Sequence, residues 1–264
     1  MRAGWNPGKR NRNVGTKAHG HGEDNKLVIP ESRHQLVRYW ERLTSYVLVK
    51  RQIGNKEQLF FVEPTLPRQF YPCSIDDICA VLEGCDEDDL KSFDFIVFRQ
   101  PTTKQRVLAH VWGRAVFAID IDQFWGSAII IESQSVDGIK WGKSLTPEDA
   151  KELRRLRSDG HEVTVGRRAI LISPTSMSLR NTVLYRTLLH EIGHHLDYSR
   201  TELEAWAQKT TLLKEDYAHG YAEEQANKMR LAGVIPFPSK LDAESLAKDN
   251  LKQEWFAPES SSSI

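Results

Sequence analysis

The chain has 264 residues, and its 36 lysines and arginines balance its 36 aspartates and glutamates. A formal charge of zero argues against a protein whose main role is to neutralise nucleic-acid phosphates. An apolar content of 40% is enough for a folded core. The longest apolar runs, such as residues 128–131, are far shorter than the roughly 20 residues that cross a membrane. We therefore expect a folded protein that does not span a membrane.

Both ends of the sequence have the composition of disordered tails. Residues 1–29 contain almost nothing apolar, so they cannot offset the entropy cost of becoming ordered. Five basic residues in this segment precede the first acidic one: Arg2, Lys9, Arg10, Arg12 and Lys17. This basic tail is a candidate contact for nucleic acid, although a solvated tail explains it as well. A second, serine-rich tail is expected over residues 258–264.

The beginning of the sequence and the cysteines bear on the cellular compartment. No apolar stretch follows the first basic residues, as a secretory signal would require. Cys73, Cys79 and Cys85 are an odd number, and they lack the close pairs of a structural zinc site. Because this cysteine usage suits a reducing compartment, we expect a cytoplasmic protein.

The hydropathy pattern predicts the elements of an α+β protein. In the first part it predicts a helix over residues 32–50 that turns extended at its end, and a short helix over 74–84. It then predicts short strands at 95–98, 107–112, 115–121, 127–131 and 168–173. Further helices are expected from 146 to before 160, over 181–198, over 211–231 and over 240–252. We interpret residues 30–93 as a mixed helical segment packed on a main domain that covers 94–257.

The helix predicted over 181–198 carries a metal-binding pattern, because residues 190–194 read H-E-I-G-H. At 3.6 residues per turn, His190 and His194 lie about 40° apart and one turn along the axis, so both imidazoles can reach one ion. Glu191 is rotated by about 100°, which places its carboxylate beside the ion, where it can accept a proton from water. Gly193 costs the helix up to about 1 kcal/mol, which indicates that another group approaches the backbone there.

This helix resembles the active-site helix of the zincin metallopeptidases. The resemblance covers about residues 168–231 and implies a Zn²⁺ site, a mixed sheet beside the active-site helix, and a third ligand on a following helix. Asp197 and Arg200 occupy the positions where the metzincin subclass has glycine and histidine, so that subclass is excluded. The resemblance is therefore to the subclass whose third zinc ligand is a glutamate.

Two glutamates are candidates for the third ligand. Glu215 follows His194 by twenty-one residues, a spacing similar to that of thermolysin-like enzymes. It begins the sequence E-D-Y-A-H-G-Y-A, which resembles the E-D-F-A-x-x-F-A helix of several zincin families, whose first glutamate binds the metal. Glu223 begins E-E-Q-A-N, which is similar to the E-x-x-A-N element of the ImmA/IrrE peptidases. We prefer Glu215, and Glu223 is the alternative. Asp216 and Glu224, the acidic neighbours of these two residues, are the remaining candidates.

Several more side chains are candidates for supporting roles: Asp197, His219, Tyr217, Tyr221 and Tyr198. Asp197 lies one turn after His194 and is a candidate acceptor for the second N–H of a metal-bound imidazole, although a surface acid explains it equally. His219 lies one turn after Glu215, where it can orient that carboxylate or stabilise an oxyanion. The tyrosines are candidate phenol donors. His195 is rotated by about 100° from His194, so we expect it to point away from the metal.

These residues and the resemblance imply a zinc endopeptidase that acts on a protein or peptide, with Glu191 as the general base. The resemblance also implies that an extended substrate binds a sheet edge, for which we expect strand 168–173 or strand 127–131. Two alternatives remain open. One is a regulatory protease of the ImmA/IrrE type, a family that cleaves transcriptional repressors, in which residues 30–145 recognise a partner. The other is a non-catalytic binding protein stabilised by zinc.

Overall fold

A computed structural model describes residues 43, 45–102 and 111–257. Both predicted tails lie outside the described residues, as do most of the strand predicted over 107–112 and most of the first part of the helix predicted over 32–50. The described residues form an α+β protein with a mixed sheet, as the sequence predicts. No helix in these parts of the chain is long and apolar enough to cross a membrane.

The main sheet has five strands: β1 (Val47–Ile53), β2 (Lys56–Val62), β3 (Phe95–Arg99), β4 (Gly113–Ile121) and β5 (Phe124–Glu132). Their order is β1-β2-β3-β5-β4. β3 pairs in parallel with β2 and β5, while β1 and β4 are antiparallel to their neighbours. β3 is buried along its whole length, as expected for a strand in the centre of a sheet.

The extended end that we predict for the segment over residues 32–50 is confirmed, because residues 47–50 belong to a strand. β1 begins at Val47 and forms a hairpin with β2 through Gly54, which has a positive φ of 54°. β-Branched residues and the glycine-containing turn favour this hairpin over a helix. Because β2 pairs with β3, the sheet continues across the boundary that we predicted at residue 94.

A smaller antiparallel sheet lies after the main one in sequence. It consists of β6 (Ile139–Trp141), β7 (Glu162–Val165) and β8 (Ile170–Ser173), in the order β6-β8-β7. α3 (Pro147–Ser158) connects β6 to β7 and begins at the predicted cap, where Thr146 and Asp149 form a capping box. Leu153 and Leu156 of α3 pack with Ile170 and Ile172 in a separate small core.

The other helices are α1 (Ile75–Leu82), α2 (Glu87–Leu90), α4 (Ser176–Thr182), α5 (Leu188–Arg200), α6 (Leu203–Gln208), α7 (Thr211–Leu231) and α8 (Ala243–Lys248). A π-helical turn, Val183–Thr187, joins α4 to α5. The helix predicted over 181–198 is therefore part of a longer helical run. The helix predicted over 240–252 is shorter than expected, because Asn250 adopts a left-handed conformation with a φ of 59° after α8.

α5 holds the predicted motif between the main sheet and α7. Its apolar side, which includes Leu188, Leu189, Ile192 and Leu196, is buried in the same core as β3 and β5. On the other side, a Cβ atom at Gly193 would lie 2.9 Å from the Cα atom and 3.0 Å from the carbonyl oxygen of Ala218 in α7. The group that approaches Gly193 is therefore the backbone of the next helix.

Candidate metal centre

Three side chains predicted as metal ligands converge between α5 and α7. The Nε2 atoms of His190 and His194 are 3.0 Å apart. Oε2 of Glu215 lies 3.3 Å from Nε2 of His190, and Oε1 of Glu215 lies 3.5 Å from Nε2 of His194. The helical spacing of the two histidines and the crossing of α7 at Gly193 bring these atoms together.

The chemistry of this donor set fits a divalent cation. Zinc binds imidazole nitrogen and carboxylate oxygen at about 2.0–2.1 Å in a tetrahedral arrangement, so its donor atoms lie about 3.3 Å from one another. The separations between His190, His194 and Glu215 are 3.0, 3.3 and 3.5 Å. Two imidazoles and one carboxylate at these separations can hold a divalent cation, and a different oxygen of the carboxylate lies nearest to each imidazole.

Glu223, the alternative third ligand, lies outside this group. It occurs two turns after Glu215 on α7 and lines an adjacent cavity of about 430 Å³, together with Arg155, Arg230 and Ile235. The structure therefore places Glu215, the first residue of the E-D-Y-A sequence, beside the two histidines. It does not place Glu223, the first residue of the E-E-Q-A-N sequence, there.

A third imidazole, that of His219, lies beside the same atoms. Its ring centroid is 4.3 Å from that of His190, and its Nε2 atom is 4.0 Å from Oε2 of Glu215. One donor atom each from His190, Glu215 and His219 lie within 4.8 Å of one another. Burial, the neighbouring His190 and Arg155 lower the pKa of His219 to about 3, which keeps the ring neutral. The imidazole of His219 is therefore a further candidate metal ligand beside His190 and Glu215.

Glu191 lies buried beside the two motif histidines, with an exposed fraction of 7%. Burial raises the pKa of its carboxyl group to about 7, while His190 and a hydrogen bond from the backbone N–H of Ala115 in β4 act in the opposite direction. A carboxyl group with a pKa near neutrality can both accept and release a proton. This environment agrees with the general-base role that the sequence predicts for Glu191, and the role stays a prediction.

These residues line a cleft of about 540 Å³. Besides the helical residues, the lining contains Gly113, Ala115 and Phe117 of β4, and Ile139 and Trp141 of β6 with part of α3. β4 pairs only with β5 among the described residues, so β4 is the edge strand beside the cleft. Extended peptides add to sheets at such edges.

Both sheet edges that we expected for substrate binding are wrong. The strand predicted over 127–131 is part of β5, which lies between β3 and β4. The strand predicted over 168–173 is β8, which lies between β6 and β7. β4 and β5 form an antiparallel hairpin after Ile121. Within this hairpin β4 lies at the edge of the sheet, the position that we expected for β5.

Asp197 makes its hydrogen bonds through Oδ1 to groups other than an imidazole, and its predicted role beside a metal ligand stays a prediction. Its buried carboxylate accepts hydrogen bonds from Nζ of Lys209 at 2.5 Å and from Oγ1 of Thr201 at 3.5 Å. These contacts connect the last turns of α5 to the segment that precedes α7. Asp197 thus supports the position of the metal-site helices through their connection, while its hydrogen bonds go to a lysine and a threonine.

The three tyrosines lie outside the lining of the cleft. Tyr221 donates a hydrogen bond to Oδ2 of Asp89 at 2.8 Å, and Tyr217 is exposed beside Arg200. Tyr198 stacks on Phe117 with 4.5 Å between ring centroids. The prediction that they donate to substrate is therefore not supported by the structure, because spacing along a helix does not tell which face meets the cleft.

His195 points away from the metal-binding atoms, as predicted. It is buried, and its Nε2–H donates a hydrogen bond to the carbonyl oxygen of Ala128 in β5 at 3.0 Å. Burial lowers the pKa of this imidazole to about 4, so it is neutral in the folded protein.

Sequence reasoning missed two cationic side chains in the cleft. Arg186 donates from Nε to Oδ2 of Asp159 at 2.8 Å and from Nη1 to both oxygens of Glu152 at 2.9 Å. Lys214 places its ammonium group 3.4 Å from the ring centroid of Trp206. The position of Arg186 one turn before His190 was a usable signal, whereas its partners lie about thirty residues away and carry no local pattern.

Comparisons of the chain with models of known protein families, with characterised proteins and with solved structures find no match.

Proposed function

We propose that the protein is a zinc-dependent metallopeptidase of the zincin type, with His190, His194 and Glu215 as the zinc ligands. One observation carries this proposal. A carboxylate from a second helix lies 3.3 and 3.5 Å from the two imidazole nitrogens of an H-E-x-x-H helix. The distances between these donor atoms suit a zinc ion. Glu191, the glutamate inside the motif, is not one of the grouped metal-binding side chains.

Bound zinc would lower the pKa of a water molecule towards about 7 and polarise the carbonyl group of the substrate. Glu191 accepts a proton from the attacking water and transfers it to the nitrogen of the leaving amine. The peptide C–N bond breaks and one water molecule is consumed. Burial raises the pKa of Glu191 above that of a free carboxyl group, which makes the carboxylate a stronger base for the proton of the attacking water.

The substrate class that we propose is a protein or peptide bound in extended form along β4. Gly113, Ala115 and Phe117 line the cleft on the side where β4 has no partner strand among the described residues. A peptide that pairs with this edge lies beside Glu191, which already accepts a hydrogen bond from the backbone of Ala115. This placement would bring a scissile carbonyl group next to the general base.

The test combines zinc content with peptide hydrolysis. Purified protein should bind one zinc ion per chain and cleave an unfolded protein such as a denatured casein mixture. Glu191→Gln should retain zinc and lose roughly 100- to 10,000-fold in activity, the usual contribution of a general base. Glu204→Gln on the exposed face of α6 is the matched control and should keep full activity. Undiminished hydrolysis by Glu191→Gln, or wild-type protein without zinc, would contradict the proposal.

The alternatives from the sequence have less support. A repressor-cleaving protease of the ImmA/IrrE type was suggested by Glu223, which lies outside the donor group, and by the basic tail, which lies outside the described residues. A non-catalytic zinc-stabilised protein would melt when zinc is removed, but Glu191→Gln would then change no measurable activity.

The cytoplasmic location that we propose is supported by three free cysteines, of which Cys73 and Cys85 are buried.

A further inference from the structure

Three imidazoles and one carboxylate lie close together between α5 and α7, which is one imidazole more than the proposed zinc ligands include. His190, His194 and Glu215 supply the three protein ligands of an open zinc site, yet His219 places its Nε2 atom 4.0 Å from Oε2 of Glu215. That separation exceeds the roughly 3.3 Å between donor atoms in a tetrahedral zinc site by about 0.7 Å. The side chain of His219 would have to rotate towards the ion to close this gap.

We propose that His219 is a fourth protein ligand of the zinc ion in the resting protein, so that three imidazoles and one carboxylate hold the metal. This inference rests on the proposed function, because it concerns the same zinc site. Four protein ligands complete a tetrahedral zinc site, whereas catalysis needs an open position. His219 must then give up its place when water and substrate enter the cleft.

The position of His219 on α7 suits this role. It lies one turn after Glu215, on the same face of the helix, so both side chains extend towards α5. The ring of His219 lies at 36° to that of His190 and 4.3 Å from it, so the two rings lie side by side. His190, His194, Glu215 and His219 all line the same cleft.

The surroundings of His219 also leave it space to move. Its side chain is 30% exposed, and it lines the metal cleft and both of the cavities next to it. Arg155 and Arg186 line one of these cavities with it.

The experiment is zinc X-ray absorption spectroscopy on the full chain, which counts imidazole ligands without any measurement of activity. Wild-type protein should show three imidazoles per zinc ion. His219→Ala and the size-conserving His219→Asn should each show two, and zinc affinity should fall by about tenfold or more. Glu223→Gln, one turn further along α7, is the matched control and should keep three imidazoles. Circular dichroism verifies that each variant is folded.

The outcomes separate this inference from the proposed function. Zinc bound by two imidazoles in both the wild type and the His219 variants would overturn the fourth ligand and leave the peptidase proposal intact. Three imidazoles in every variant would also overturn it, since the third ring would then not be that of His219. A wild-type protein that binds no zinc would overturn the proposed function and this inference together.

Discussion

The two walls of the metal cleft are built in different ways. In the helical wall, formed by α5 and α7, two backbones meet at Gly193 and Ala218, and the contact is apolar and close. In the wall formed by α3 and the small sheet, a separate small core is linked to the helical run before α5 by charged groups, with Arg186 between Glu152 and Asp159.

This difference matters because the two kinds of contact respond differently to displacement. Packing forces change steeply within a few tenths of an ångström, so a backbone-to-backbone contact holds donor atoms in place. Partly exposed ion pairs weaken gradually with distance and are screened by water. All of the candidate metal ligands lie on the helical wall, whereas Ile139 and Trp141, which also line the cleft, lie on the other.

The largest expected effect tests whether the helical wall alone provides the metal site. Glu215→Gln replaces a charged carboxylate with a neutral amide, which is a weaker ligand, and it should lower zinc affinity by more than about 100-fold, because even groups that only orient metal ligands contribute about 10- to 100-fold. Glu223→Gln on the same helix should leave the affinity unchanged. Competition with a fluorescent zinc chelator measures both values. Equal losses in the two variants would mean that the ligand assignment is wrong.

The next effect tests the backbone contact itself. A methyl group at Gly193 would meet the backbone of Ala218 at 2.9–3.0 Å, whereas one at Gly220 meets nothing within 4 Å. Gly193→Ala should therefore lower the free energy of unfolding by about 2–3 kcal/mol, the upper part of the range for overpacking. Gly220→Ala should raise it by up to about 1 kcal/mol through helix propensity. Urea unfolding of the zinc-free proteins gives both values, and similar results for the two would refute the close contact.

The smallest effect is expected at the charged link between the walls. Arg186→Met removes the hydrogen bonds to Glu152 and Asp159, and it should lower the free energy of unfolding by about 1–2 kcal/mol after screening by water. Zinc affinity should change by only a few fold. Arg68→Met, which removes an exposed ion pair with Asp137, is the control and should have no measurable effect. A loss of zinc binding in Arg186→Met would show that both walls hold the metal.

Local pattern in the sequence was enough to predict much of the site. Helical periodicity places His190 and His194 on one face and Glu191 beside them, because 3.6 residues per turn set these angles wherever the helix forms. The capping box at Thr146 and the buried strand around residues 95–98 depend in the same way on hydrogen bonds and burial patterns that are local in sequence. The choice of Glu215 followed from a resemblance, and it agrees with where α7 crosses α5.

Features that depend on long-range contacts were decided only by the tertiary structure. Pairing between strands made β4 the edge beside the cleft, and the crossing of α5 and α7 directed His219 towards the donor atoms and Tyr221 towards Asp89. Arg186 found its partners about thirty residues away. The sequence by itself determined which residues share a helix face. Which face meets which neighbour depends on burial summed over the whole core, and no local spacing contains that information.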